Sequence, residues 1–67
     1  MREHDVVRLR HGLPEHGLKA GTAGTIVHIF SRPHLAYEVE FCDASGRTIA
    51  QLALRPDEIE QATRQPA

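Results

Sequence analysis

The sequence predicts an all-β fold, a small antiparallel barrel of about five strands with a short 3₁₀ turn near its C-terminus. Two kinds of observation point there. Apolar residues alternate with polar ones at period 2 in several short runs, and glycine, proline or short polar clusters separate those runs. At 67 residues the chain also has room for one core and no second domain.

The first strand is read at Asp5–Arg10, where Val7 and Leu9 share one face and Arg8 and Arg10 the other. His11–Gly21 follows, and its glycines and proline interrupt both strand and helix periodicity. It contains His11-Gly12-Leu13 and again His16-Gly17-Leu18, an echo too short for a structural repeat and read as two turns, each pinned by a leucine. Gly24–Phe30 carries Thr25, Ile26, Val27 and Ile29, β-branched side chains that pack well on a pleated surface, and is the second strand. Pro33 then breaks the ladder within Ser31–His34, because it has no N–H to donate.

Ala36–Cys42 is the clearest strand, with Tyr37, Val39 and Phe41 on the core side and Glu38 and Glu40 on a solvated side. Asp43–Gly46 reads as a hairpin connection with Gly46 free to take positive φ. Arg47–Leu54 completes the hairpin, placing Ala50, Leu52 and Leu54 on one face and Ile49, Gln51 and Ala53 on the other. Pro56-Asp57-Glu58 opens a 3₁₀ or helical turn, and Ile59 returns the chain to the first strand. A helix over Arg55–Arg64 is the rival reading, but Ile59 and Ala62 are its only apolar positions. The barrel is thus assigned to residues 1–60 and a frayed polar tail to 61–67.

Composition bounds the function. With 40% hydrophobic but only 4% aromatic residues, the core is built mainly from aliphatic side chains. Eight Lys and Arg against nine Asp and Glu provide no general pull toward nucleic acid or an anionic membrane. The five histidines would make the protein basic on acidification, since an ordinary imidazole titrates near about 6.5. The single cysteine, Cys42, excludes an intrachain disulfide and points to a reducing cytoplasm. The charged start Met1-Arg2-Glu3-His4-Asp5 and the lack of a long apolar run point away from a secretory signal and a membrane span.

The order of motifs resembles a known family. Asp-Val-Val in the first strand, then Leu-Pro-Glu-x-Gly-Leu-Lys-Ala-Gly-x-x-Gly-Thr-Ile-Val, Ala-Tyr-Glu-Val-Glu-Phe and Asp-x-x-Gly-Arg-Thr look like the small bacterial proteins grouped as domain of unknown function 4926. The resemblance covers about Asp5 to Ile59. It implies an SH3-like barrel and brings no catalytic residues or cofactor with it. His11 and His16 stand where that family commonly has acidic or small residues. More distantly, Gly21-Thr22-Ala23-Gly24-Thr25-Ile26-Val27-His28-Ile29 resembles the KOW motif of ribosomal and transcription-factor barrels, and the Gly-Thr-Ile stretch of nitrile hydratase β subunits. Glycine here lets the backbone turn from loop into strand, so the pattern marks a fold more than a function.

The candidate sites are few. Loop leucines beside proline or glycine are contact candidates, so Leu13, Pro14, Leu18, Phe30 and Leu35 form the expected protein-binding surface. The competing reading folds Leu13 and Leu18 back as lids on the core. Arg8, Arg10, Arg32 and Arg47 are the cations of an alternative RNA- or ribosome-associated barrel. A metal-chaperone reading uses His11 and His16, with His4 nearby, but no acid or cysteine stands at a familiar ligand spacing, and no metal site is assigned. Cys42 lacks a visible base partner and reads as a buried small apolar residue. The expectation is a cytoplasmic, non-enzymatic accessory module, of the antitoxin, immunity or maturation-factor type, that binds another protein, with homo-oligomerisation as a further option.

Overall fold

A computed structural model describes residues 1–62; the tail assigned to residues 61–67 therefore lies mostly outside the described residues. The fold is all-β. Its strands are β1 (Val6–Leu9), β2 (Ala23–Phe30), β3 (Ala36–Cys42), β4 (Thr48–Leu54) and β5 (Ile59–Gln61), with 3₁₀ turns at Pro14–His16 and Pro56–Glu58. They form one antiparallel sheet in the order β4-β3-β2-β1-β5. Among the described residues no helix is long and apolar enough to cross a membrane.

The sheet has to curl. Laid flat, its two edge strands would stand about 19 Å apart across the sheet at the usual interstrand spacing. The residues between Leu54 and Ile59 are only Arg55–Glu58, three of them in the second 3₁₀ turn. Even fully extended such a link reaches about 17 Å, and the 3₁₀ turn shortens it further. The edges therefore bend toward each other, and both contribute to one core: Val7 and Leu9 from β1, Ile26 from β2, Tyr37, Val39 and Phe41 from β3, Leu54 from β4, Ile59 from β5, and Leu18.

Two register shifts set which side chains reach that core. In the β2–β3 pairing Ile26 faces Val39 and His28 faces Glu38, leaving Val27 as an extra residue. The bulge flips the alternation, so Gly24 and Ile26 point inward before it and Ile29 packs inward after it. In β3–β4, Phe41 faces Ala50 and Cys42 faces Thr48, which leaves Ile49 extra. Gly24 lies beneath Phe41: a Cβ there would meet the Val39 side chain at 2.6 Å and the Phe41 ring at 2.8 Å. Glycine at this position allows the largest fully buried side chain to fill the core.

The long first loop leaves β1 and returns to β2 between Leu9 and Thr22, closed at its foot by Leu9 N–H to the Thr22 carbonyl and Gly21 N–H to the Leu9 carbonyl. In place of two separate turns it forms one closed excursion. Leu13 and Leu18 bridge by reciprocal backbone hydrogen bonds of 2.7 and 3.1 Å, and Gly17 turns the chain with φ 69°. Cys42 is exposed, contrary to the buried position expected for it. Its side chain shares the outward face of β3 with Glu38 and Glu40, where alternation from Phe41 puts it.

Candidate functional site

The expected contact residues separate into two groups. Leu18 is 4% exposed and belongs to the core, and half-buried Leu13 packs against it. The loop leucines therefore act as lids, and the reading of Leu18 as a contact residue is corrected: removing its side chain from water outweighs presenting it. Pro14 is exposed at the start of the first 3₁₀ turn. Phe30 and Leu35 are 38% and 45% exposed, as a contact surface requires.

A shallow groove of about 650 Å³ lies beside Leu35. The β2–β3 connection supplies His34, Leu35 and Ala36, and the chain leaving β4 supplies Arg55, Pro56 and Asp57. Local chemistry holds the second wall. Arg55 is extended before Pro56, as the residue preceding proline prefers, and Glu58 accepts the Arg55 N–H at 2.7 Å while donating its own N–H to the Arg55 carbonyl. Arg55 Nε lies 3.3 Å from Asp57 Oδ1, an exposed pair that contributes little to stability. The floor is aliphatic, and the charges stand at its rim. Glu58, next to the groove wall, also ties this turn to the end of β1, because its carbonyl accepts Arg10 N–H at 3.0 Å.

Along β2, His28 and Phe30 extend the outward surface. Their rings meet edge to face with centroids 4.7 Å apart, and His28 Nδ1 lies 3.9 Å from the Glu3 carboxylate. Glu38 and Glu40 are half-buried, each bonded to the neighbouring strand: Glu38 accepts from Gln51 Nε2 at 3.1 Å, and Glu40 accepts from Thr48 Oγ1. Asp43 organises the β3–β4 turn by accepting from Ser45 Oγ at 2.7 Å, Ser45 N–H at 2.9 Å and Arg47 N–H at 3.0 Å. The hydroxyl of Ser45, with the backbone donors behind it, holds the Asp43 carboxyl below its ordinary value of 3.8.

The arginines of the RNA reading are not gathered into one patch. Arg8 Nη1 donates to the Gly21 carbonyl at 2.9 Å and Arg10 Nε to the Ile59 carbonyl at 3.0 Å. Arg8 also faces Glu60 across β1–β5, and Arg10 Nη1 approaches the same carboxylate at 3.4 Å. Arg32 and Arg47 lie in loops at opposite ends of β3, separated by about 20 Å of strand. Among the described residues no three histidine, cysteine or acidic side chains are grouped to hold a metal, so His4, His11 and His16 do not converge.

Sequence reasoning named Leu35 but missed its groove partners, Arg55, Pro56 and Asp57. Pro56 announced a turn, yet only barrel closure brings that turn against the β2–β3 connection. No curated protein and no solved structure matches the chain. One family model does match, over residues 3–61, nearly the whole described length. The chain belongs to the family described as a domain of unknown function, DUF4926.

Proposed function

We propose that this protein is a non-enzymatic accessory module that binds another protein through the groove between the β2–β3 connection and the second 3₁₀ turn. The observation that supports this most is exposed Leu35 beside Ala36 and Pro56 in one shallow groove. An aliphatic floor with Arg55, Asp57 and His34 at its rim suits a short extended peptide segment, whose apolar side chain fills the floor while its backbone meets the rim. Antitoxin-, immunity- and maturation-type partners all fit such a role, in a reducing cytoplasm where exposed Cys42 persists as a thiol.

The alternative of an RNA-binding barrel has less support, since Arg8 and Arg10 spend their donors on backbone carbonyls and Glu60. Affinity capture of the tagged protein at low salt, with and without nuclease, separates the two. The accessory-module reading expects a nuclease-resistant protein partner that is lost with Leu35→Asp and retained with Arg8→Gln. Recovery that vanishes with nuclease, or that is indifferent to Leu35→Asp, overturns it.

A further inference from the structure

Among the described residues, β4 carries the longer of the two sheet edges that no other strand covers. Ile26 donates its N–H to Asp5 and accepts from His4 N–H through its carbonyl, so its backbone groups face the β1 side. Val39, opposite Ile26, therefore turns its own groups toward β4, where Leu52 is its partner. By the alternation of an antiparallel ladder, Ala50, Leu52 and Leu54 bond to β3, whereas Gln51 and Ala53 direct their N–H and C=O groups outward from the edge. The bulge at Ile49 bounds this free segment on one side and Pro56 on the other.

The side chains add no barrier to pairing. Thr48–Leu54 contains no charged residue, proline or glycine, the devices by which edge strands usually discourage association. The β5 edge differs: it is three residues long and carries Glu60. Ile49, at the β4 bulge, is 53% exposed, and Leu52 packs on the core yet stays half-buried.

We propose that two copies of this protein pair through β4, antiparallel, about a two-fold axis at Leu52. In that register Gln51 lies opposite Ala53 of the second copy. All four outward N–H and C=O groups of each chain's Gln51 and Ala53 then find partners, giving four hydrogen bonds, and the two sheets become one. Leu52 meets its own counterpart in the close, non-hydrogen-bonded position, where side chains approach most nearly. Ala50 lies opposite Leu54, which extends each core across the axis. Ile49 falls beside the aliphatic stem of Arg55. No like charges face each other within Ala50–Leu54. Moving the axis to Gln51 sets Arg47 against Arg55 and offers Ala53 only the bulged Ile49 as its opposite residue, so Leu52 is the favoured centre. The same even spacing keeps inward residues opposite inward ones, as a continuous curled sheet requires.

The test is the mass of the protein in solution across concentration, by sedimentation equilibrium from about 5 μM to about 1 mM, the range in which a strand-edge interface of modest area dissociates. The wild type is expected to move toward twice the 7.5 kDa of one chain. The double variant Gln51→Lys with Ala53→Lys places like charges opposite one another across the axis, while within each chain both lysines lie near Glu38. It should keep the wild-type far-ultraviolet spectrum and weaken association at least about tenfold. Amide hydrogen exchange supplies a second readout that needs no substitution: Gln51 and Ala53 should become more protected as concentration rises, and Glu60 should not. A wild type that stays monomeric to about 1 mM overturns the proposal. Equal association by the wild type and a folded lysine variant, or unprotected Gln51 and Ala53 amides in a dimer, overturns it as well.

Discussion

Gly24 and Leu35 show how little a residue's type says about its role until its neighbours are known. A methyl group added at Gly24 would overlap Val39 and Phe41, both fully buried on a strand that cannot retreat without breaking two ladders. Gly24→Ala should therefore lower stability by about 1–3 kcal/mol, as overpacking does, read as a shift in the urea midpoint. Leu18→Ala removes a core side chain and should destabilise by about 2–5 kcal/mol. Leu35→Ala, at an exposed loop position, should change stability by less than about 0.5 kcal/mol while weakening partner capture. A large loss of stability in Leu35→Ala would mean that the residue belongs to the core.

Asp43 brings pH dependence to the same scale. Hydrogen bonds from Ser45 Oγ and from the Arg47 and Ser45 amides hold its folded carboxyl below 3.8. A depressed carboxyl contributes stability that is present above its unfolded value and lost as pH falls through the folded one. The β3–β4 turn should therefore loosen only below about pH 4. Asp43→Asn keeps an acceptor oxygen but cannot titrate, so the step in stability between about pH 4 and pH 2 should shrink in that variant. An unchanged acid profile measured by urea unfolding would place the linkage elsewhere.

At the scale of elements, the strands were largely legible because their alternation is a local property. β3 lies at Ala36–Cys42 as read, and β1, β2 and β4 differ from their readings by a residue or so at the ends. What escaped were the bulges. An extra residue at Val27 or Ile49 leaves no mark in an apolar pattern, because it is recognised only by counting residues on the partner strand. The first loop escaped as well. His11-Gly12-Leu13 and His16-Gly17-Leu18 look like two similar turns, yet the two leucines bond to each other and only Leu18 is buried. Sequence offers two lids or two contacts, and burial chooses between them.

At the scale of the molecule, closure depends on the short link Arg55–Glu58, which ties strands at opposite ends of the sheet order. Extending that link to about 16 residues with Gly and Ser should reduce stability by roughly 1 kcal/mol from loop entropy alone, since each doubling of a loop adds about 0.6 kcal/mol. The groove should lose its partner in the same variant. Urea unfolding and capture, measured together, check both. A link variant that still captures the partner would place the contact surface away from the second 3₁₀ turn.

The amino-acid sequence was enough for the class of fold, a count of about five strands and the inward faces of β1 (Val7, Leu9) and β3 (Tyr37, Val39, Phe41), because period 2 and turn chemistry act between near neighbours along the chain. It also supplied Leu35 as an exposed contact candidate and the family pattern that runs through Val7, Gly24 and Phe41. Only the tertiary structure could spend Arg8 and Arg10 on the carbonyls of Gly21 and Ile59, bury Leu18, and set Leu35 against Pro56. Most of these depend on residues far apart in the chain that meet when the sheet curls and closes. A linear pattern records which face a side chain leaves its strand on, and what stands opposite that face is settled by closure.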